Sequence, residues 1–337
     1  MAPRKIRLAF YGDDFTGATD TLSTVAGAGY RTMLFLRIPS DGQVAAAGPL
    51  DCLGVAGAAR SMRGPEQKAE LQAAGQFLRR VAASVTHYKT CSTFDSSPDI
   101  GSIGRAVEVL RGQLAPARFM PIVGGQPNLG RYCVFGNLFA AYQAGGGAFR
   151  LDRHPTMSRH PVTPMHEADL RLHFAGQGLE RIGLIEYPSY DLEQAEFDAL
   201  LDHAVSGNPD GVLFDVGQAG HLAVVGRAIW QRARGQALLA VGPSSVAQAL
   251  IAHWHEAGMG AYAPPKDAIG RAQGPVFVMS GSRSPVTAEQ IEAAVSYQRI
   301  PMDAAALAGE DSGARAALLN QVVAGLSQGR HVLAYVA

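Results

Sequence analysis

Short apolar runs alternate along this chain with longer segments whose apolar residues recur at helical spacing. "IRLAFYG" reads as a strand, and residues 16–28 as a helix closed by Gly29. "TMLFL" and "CLGVAG" read as further strands. Residues 65–84 carry Leu71, Phe77, Leu78 and Val81 on one helical face, with Pro65 suited to a first turn. The strand "HYKTC", a helix over 100–114 and the strand "FMPIVGG" follow. Such βαβα alternation predicts a mostly parallel, Rossmann-like α/β sheet covered on both faces.

The pattern breaks over residues 145–165, "GGGAFRLDRHPTMSRHPVTPM", which lack periodicity and read as a long functional loop. It resumes with "RIGLIEY", a helix over 191–205, "GVLFDVG", a helix over 220–233, and "ALLAVGPSSVAQALIAHW" as strand, turn and helix. Residues 257–274 hold paired prolines and no apolar period, the signature of a linker. The expectation is a large domain over 1–256 and a second, smaller α/β domain over 275–337. The latter opens with "PVFVMSGSRSPVTAEQ" and stops on the bare strand "RHVLAYVA", so it reads as shortened.

Composition narrows the function classes. Lys plus Arg is 29 and Asp plus Glu is 29 in 337 residues, which gives no broad electrostatic footprint for nucleic acid. No apolar run is long enough to span a bilayer, and the N-terminal run is too short for a signal peptide. Cys52, Cys91 and Cys133 are far apart and odd in number, which fits reduced thiols in a cytoplasmic protein.

The chemistry concentrates just past the predicted strands. In open α/β sheets ligands bind beyond the carboxyl ends of strands. Asp13 and Asp14 follow the first strand there. Either can accept hydrogen bonds from hydroxyls or take a proton from one, and the amides around Thr16 and Gly17 open a helix. One of the two carboxylates can equally be a helix cap. "YKTCSTFDSS" places Lys89, Ser92, Thr93 and Asp95 in one turn, a set suited to a carboxylate or phosphate, or to a plain polar turn with serine caps. Arg60 follows the strand "CLGVAG" and can grip a carboxylate. The loop "DRHPTMSRHPVTPM" offers His160 and Thr163. Its histidines, at 154, 160 and 166, have no metal-ligand spacing, so no metal site is expected among them. Ser280, Gly281, Ser282 and Ser284 form a small-residue turn that lets backbone approach a phosphate, with Ser284 also fit to cap a helix before Pro285. P-loop, dinucleotide-fingerprint, nucleophile-elbow and zinc-protease motifs are missing from the sequence.

"DDFTGATD", "YKTCSTFDSS", "RHPVTPM" and "SGSRSPVTAEQ", in this order over nearly the whole chain, resemble the four-carbon acid sugar kinase family, formerly a domain of unknown function. The resemblance implies an N-terminal sugar-acid domain and a C-terminal nucleotide domain. It implies ATP-dependent phosphorylation of a small acid such as threonate, erythronate or an oxo-tetronate, with Mg²⁺ accompanying the ATP. On matching positions it makes Asp13 and Asp14 hydroxyl ligands, one of them the base. Thr16, Gly17, Arg60, Lys89, Ser92, Thr93, Asp95, His160 and Thr163 become substrate-side residues, and Ser280, Gly281, Ser282 and Ser284 nucleotide-side ones. Family members continue to a Gly-Gly-acidic-Thr loop that this sequence does not contain. A sugar-acid-binding module without phosphotransfer is therefore the alternative expectation, and a nicotinamide oxidoreductase a weaker third. The segment "VGGQPNLGRYCVFGNLFAA", residues 123–141, lies where relatives carry an Asn- and Gly-rich stretch before a helix. Expected partners are the acid and ATP, with neither nucleic acid nor membrane, and a homodimer is one open assembly state.

Overall fold

The computed structural model describes residues 5–142, 146–260, 273–309 and 312–336. The chain divides into two compact units, residues 1–265 and 266–337. Residues 261–272 of the expected linker lie outside the described residues.

The strands of the first unit are β1 (Leu8–Gly12), β2 (Thr32–Phe35), β3 (Cys52–Ala56), β4 (Val85–Lys89), β5 (Pro121–Val123), β6 (Arg131–Val134), β7 (Asn137–Ala141), β8 (Ala148–Arg150), β9 (Ile182–Ile185), β10 (Gly211–Phe214) and β11 (Leu238–Gly242). Eight form one sheet in the order β2-β3-β1-β4-β11-β5-β10-β9, with every pairing parallel. The helices are α1 (Phe15–Gly27), α2 (Asp41–Ala46), α3 (Gly64–Val81), α4 (Ile103–Leu114), α5 (Leu170–Ala175), α6 (Gln194–Ser206), α7 (His221–Arg232) and α8 (Ser245–Glu256).

The apolar strands bury both faces because successive side chains point to opposite sides. Ala9 and Tyr11 of β1 join Leu71, Phe77 and Leu78 of α3 and Val107 and Leu110 of α4 in one core. Leu8, on the other face, joins Ile229 of α7 and Leu250 and Trp254 of α8. Each fully buried Leu or Phe contributes about 1.5–3 kcal/mol. Helices α7 and α8 touch backbone to backbone: a Cβ on Gly226 would lie 1.8 Å from the Ala249 carbonyl oxygen. Gly226→Ala is expected to cost about 3 kcal/mol of stability, read as a lower urea midpoint, because backbone cannot yield as a side chain can.

Two regions depart from the sequence pattern. Strands β6, β7 and β8 form an antiparallel sheet, and the first two lie within residues 123–141, where the resemblance places an Asn- and Gly-rich stretch before a helix. The β6–β7 turn has Phe135 at φ 51° and Gly136 at φ 77°, the left-handed pair of a tight hairpin turn. The buried Asp215 carboxylate, just past β10, accepts both turn amides at 2.6 and 3.0 Å. That clamp, not local propensity, holds a phenylalanine in a disfavoured conformation. The long loop expected over 145–165 contains β8 and two single 3₁₀ turns, residues 151–153 and 157–159. Residues 143–145 lie outside the described ones.

The second unit has strands β12 (Phe277–Ser280), β13 (Gln298–Met302) and β14 (Val332–Val336), all parallel in the order β12-β14-β13. Helices α9 (Pro285–Ala293), α10 (Ala304–Ala308) and α11 (Ser312–Ser327) accompany them. Its small core is Ile300, Val322 and Val332. Among the described residues no helix is long and apolar enough to cross a membrane.

Candidate functional site

Strands β1, β3, β4 and β11 end at one level. Gly12 pairs with Ala56 and Lys89, and Lys89 with Gly242. The segments after them are then laced together. Asp13 N–H donates to Lys89 O at 3.0 Å, Arg60 N–H to Asp13 O at 3.0 Å, and Thr90 N–H to Gly242 O at 2.9 Å. Register alone thus brings Asp13, Asp14, Arg60, Lys89 and the turn through Asp95 to one edge of the sheet.

Asp14 caps α1, its Oδ1 accepting the Gly17 N–H at 2.8 Å, and its Oδ2 is ion-paired with Arg60. Lys89 is 3% exposed and its Nζ donates to Thr90 O at 2.7 Å. Gly17 leaves room for both groups: a Cβ there would lie 2.5 Å from Asp14 Oδ1 and Lys89 Nζ and would push the two side-chain ends aside. Thr16 is exposed on the first turn of α1, and its carbonyl accepts the Thr19 hydroxyl.

Asp13 is 2% exposed, and its Oδ1 is buried without a hydrogen-bond partner. Two cations, Arg60 and Lys89, serve three carboxylates, Asp13, Asp14 and Asp95. Burial raises the Asp13 pKa to about 7; the two cations pull it down less than burial lifts it, and the other two carboxylates add to the rise. Arg60 is pulled down by its own burial, but the carboxylates around it, Asp13 foremost, outweigh that and raise it.

Beside this cluster opens a cavity of about 420 Å³. Arg60, Thr93 and Asp95 line it from the tips of β3 and β4, and Arg131, His160 and Thr163 from the β6 hairpin and the loop beyond it. Phe94, at φ 52°, is buried in the core while Thr93 and Asp95 on either side face the cavity. The Thr93 hydroxyl donates to Asp95 Oδ1 at 2.6 Å, and Ser92 is buried in the same turn. His160 Nδ1 accepts the Thr163 N–H at 3.0 Å, which places the proton of the neutral ring on Nε2. Burial, with Asp95 adding to it, pushes the cavity-lining Cys91 thiol up to about 12, so it is no nucleophile. Arg131 and Cys91 were not singled out from sequence. Arg131 sits in a hairpin, "LGRYCVFGN", whose alternating residues and central Phe-Gly were the available signal.

In the second unit Ser280 ends β12, and Gly281, Ser282 and Ser284 lie between β12 and α9. Ser284 caps α9, its Oγ accepting the Thr287 N–H at 3.2 Å, and the Thr287 hydroxyl donates to Ser282 Oγ at 2.9 Å. Ser282 and Ser284 line a hollow of about 420 Å³ with Arg283 and Arg299, while Ser280 faces another beside it, of about 300 Å³. A Cβ at Gly281 would meet nothing within 4 Å, so this turn is open to an approaching group. Two cations beside an open hydroxyl-rich turn suit phosphate oxygens. Among the described residues no group of three or more His, Cys, Asp or Glu could hold a metal ion.

The fold is thus a parallel α/β sheet whose strand tips carry the Asp13–Asp14–Arg60–Lys89 cluster beside a cavity lined by one carboxylate, hydroxyls and two arginines, a lining able to hydrogen-bond a small polar molecule. Residues 8–250 match the model of the sugar-binding N-terminal domain family, and the chain belongs to that family. It is 42% identical over 289 residues to a 3-oxo-isoapionate kinase of Paraburkholderia graminis, covering 86% of this chain and 60% of that one. It is 31% identical over 322 residues to a 3-oxo-tetronate kinase of Methylobacterium radiotolerans, covering 92% and 70%. The chain therefore spans less than two thirds of the first relative's length. Among solved structures the fold matches a Haemophilus influenzae protein with TM-score 0.68 and 23% identity, over 97% of this chain and 74% of that one. It also matches a Bordetella bronchiseptica protein solved with citrate as a domain-swapped dimer, with TM-score 0.59 and 20% identity over 99% and 74%.

Proposed function

We propose that this chain acts in ATP-dependent phosphorylation of a hydroxyl on a short sugar acid, of the 3-oxo four- or five-carbon kind named for its relatives. The observation that carries the reading is Asp13, buried without a partner and poised near neutrality, directly behind the Arg60 that lines a cavity rich in hydroxyl and cationic groups. In this reading residues 1–256 bind the acid and residues 275–337 the nucleotide, joined by 257–274.

Asp95 and Thr93 accept and donate hydrogen bonds to the substrate's hydroxyls, and Thr163 and His160 close the opposite wall. Asp13 takes the proton of the reacting hydroxyl, because a carboxylate with a pKa near 7 is half ionised at neutral pH and basic enough to accept it. Asp14 fixes Arg60 at the cavity wall, and Lys89 tempers the charge around Asp13. Arg283, Arg299 and the turn Ser280–Ser284 are the residues that would hold ATP phosphates, with Mg²⁺ carried on those phosphates. When bound, ATP supplies the phosphoryl group and Mg²⁺ neutralises its charge. The free thiols Cys52, Cys91 and Cys133 suit the reducing cytoplasm in which we place the protein.

The test is ADP release by the purified chain with Mg·ATP across a panel of four- and five-carbon sugar acids and their 3-oxo forms. Acid-dependent release is expected. Acid binding by calorimetry with no release for any member would leave only the binding-module reading, and neither binding nor release would sink both.

A further inference from the structure

Resting on that acid-binding reading, we propose that Arg131 is the residue that grips the substrate's carboxylate, so that the acid end faces the β6 hairpin and the hydroxyls face Asp95. Sequence motifs direct attention to Arg60 and Lys89 for this task, yet both are already engaged. Arg60 is ion-paired with Asp14, and Lys89 is buried against Gly17 with its Nζ given to Thr90 O. A carboxylate recruited by Arg60 would have to compete with Asp14.

Arg131 has no such competitor. It lines the same cavity, and among the described residues its one side-chain hydrogen bond goes to the Leu129 carbonyl. Its Nε is buried without a partner, and no ion pair joins it to a carboxylate among the described residues. A carboxylate in the cavity can take the two terminal guanidinium nitrogens together in the two-point fashion that guanidinium geometry matches.

The position is also rigid. Arg131 exchanges backbone hydrogen bonds with Gln126, at 2.8 and 3.2 Å, and Gln126 is anchored through its side chain to Asp20 of α1 at 3.1 Å. Gly125, at φ 85°, allows the approach: a Cβ there would lie 2.4 Å from Val216 O. His160, whose Nδ1 accepts from Thr163 and whose ring proton is therefore on Nε2, lines the same cavity. On the other wall Asp95 repels a carboxylate and accepts from hydroxyls. The cavity thus has Arg131, with no carboxylate paired to it among the described residues, on one wall, and on the other Asp95 with an Arg60 already paired to Asp14, so the two ends of a sugar acid meet different partners.

The experiment is calorimetric titration of L-threonate, D-erythronate and their 3-oxo forms into wild type, Arg131→Ala, Arg131→Gln and Arg131→Lys. Arg131→Ala is expected to bind on the order of 30-fold more weakly, the loss of a charge-assisted pair. Arg131→Lys should recover part of that loss and Arg131→Gln little of it, while the KM for ATP stays unchanged. Arg131→Gln keeps a donor for Leu129 O, so it decides the matter if the alanine variant does not fold. Wild type that binds an acid, with Arg131→Gln binding within threefold of it, would overturn this assignment and leave the acid-binding reading standing. Wild type that binds no acid would overturn both.

Discussion

Asp13→Asn is expected to lower acid-dependent ADP release by about 10³-fold while the protein folds normally, because a positioned base contributes roughly 10²–10⁴ to such a step. The measurement is steady-state turnover beside circular dichroism and a urea titration. The same substitution fixes the pH behaviour. In wild type the base must be ionised, so kcat/KM should rise tenfold per pH unit up to about 7 and level off above it. Stability runs the other way. The Asp13 pKa is about 7 in the fold against an ordinary 3.8, so below about 4 both folded and unfolded chains hold the proton and the residue costs nothing. As pH rises from 4 to 7 the unfolded chain gives up its proton first and the fold loses stability, by about 4 kcal/mol once pH exceeds 7. Asparagine carries no such charge, so Asp13→Asn should gain on wild type steadily between pH 4 and 7. A gain that is flat with pH, or turnover near that of wild type, would remove Asp13 from the chemistry.

The parallel sheet was legible because its central strands are buried on both faces and so read as unbroken apolar runs, from "IRLAFYG" to "ALLAVG". The carboxylates and Arg60 were legible for a related reason. Parallel strands end together, and whatever follows them meets at one edge. What sequence left hidden depends on contacts remote in the chain. The β6–β7 hairpin turns on Asp215, eighty residues away from Phe135, and neither local pattern announces the other. Arg131 was missed with the hairpin that carries it. Asp13 and Asp14 are indistinguishable as letters. Only the structure separates the helix cap paired with Arg60 from the buried group without a partner. The two R-H-P triplets look equivalent too. Yet His154 is buried with its Nδ1 accepting the Thr156 and Met157 amides, whereas His160 lines the cavity.

Substitutions at Arg60 and Asp14 should move the acid limb of the pH–rate profile in opposite directions. Arg60 lowers the Asp13 pKa and Asp14 raises it, both on top of the larger rise from burial. Arg60→Gln removes the stronger of the two cationic influences, so the limb should shift above 7. Activity at pH 7 should fall about a hundredfold, partly from that shift and partly because Asp14 is left half-buried without its partner. Raising the pH should win back the first part and not the second. Asp14→Asn removes a like charge, so the limb should shift below 7, and the asparagine still accepts the Gly17 N–H as a helix cap. Its turnover above pH 7 should fall far less than that of Asp13→Asn. Arg60 is then released to the cavity, and affinity for the acid is expected to hold or rise. Because burial is common to all three proteins, the sign of each shift reports the charge removed rather than a general loosening of the site. Limbs that stay at the wild-type position in both variants would mean that the titrating group is not Asp13. Limbs that move the same way would mean that the cluster rearranges when either partner is lost.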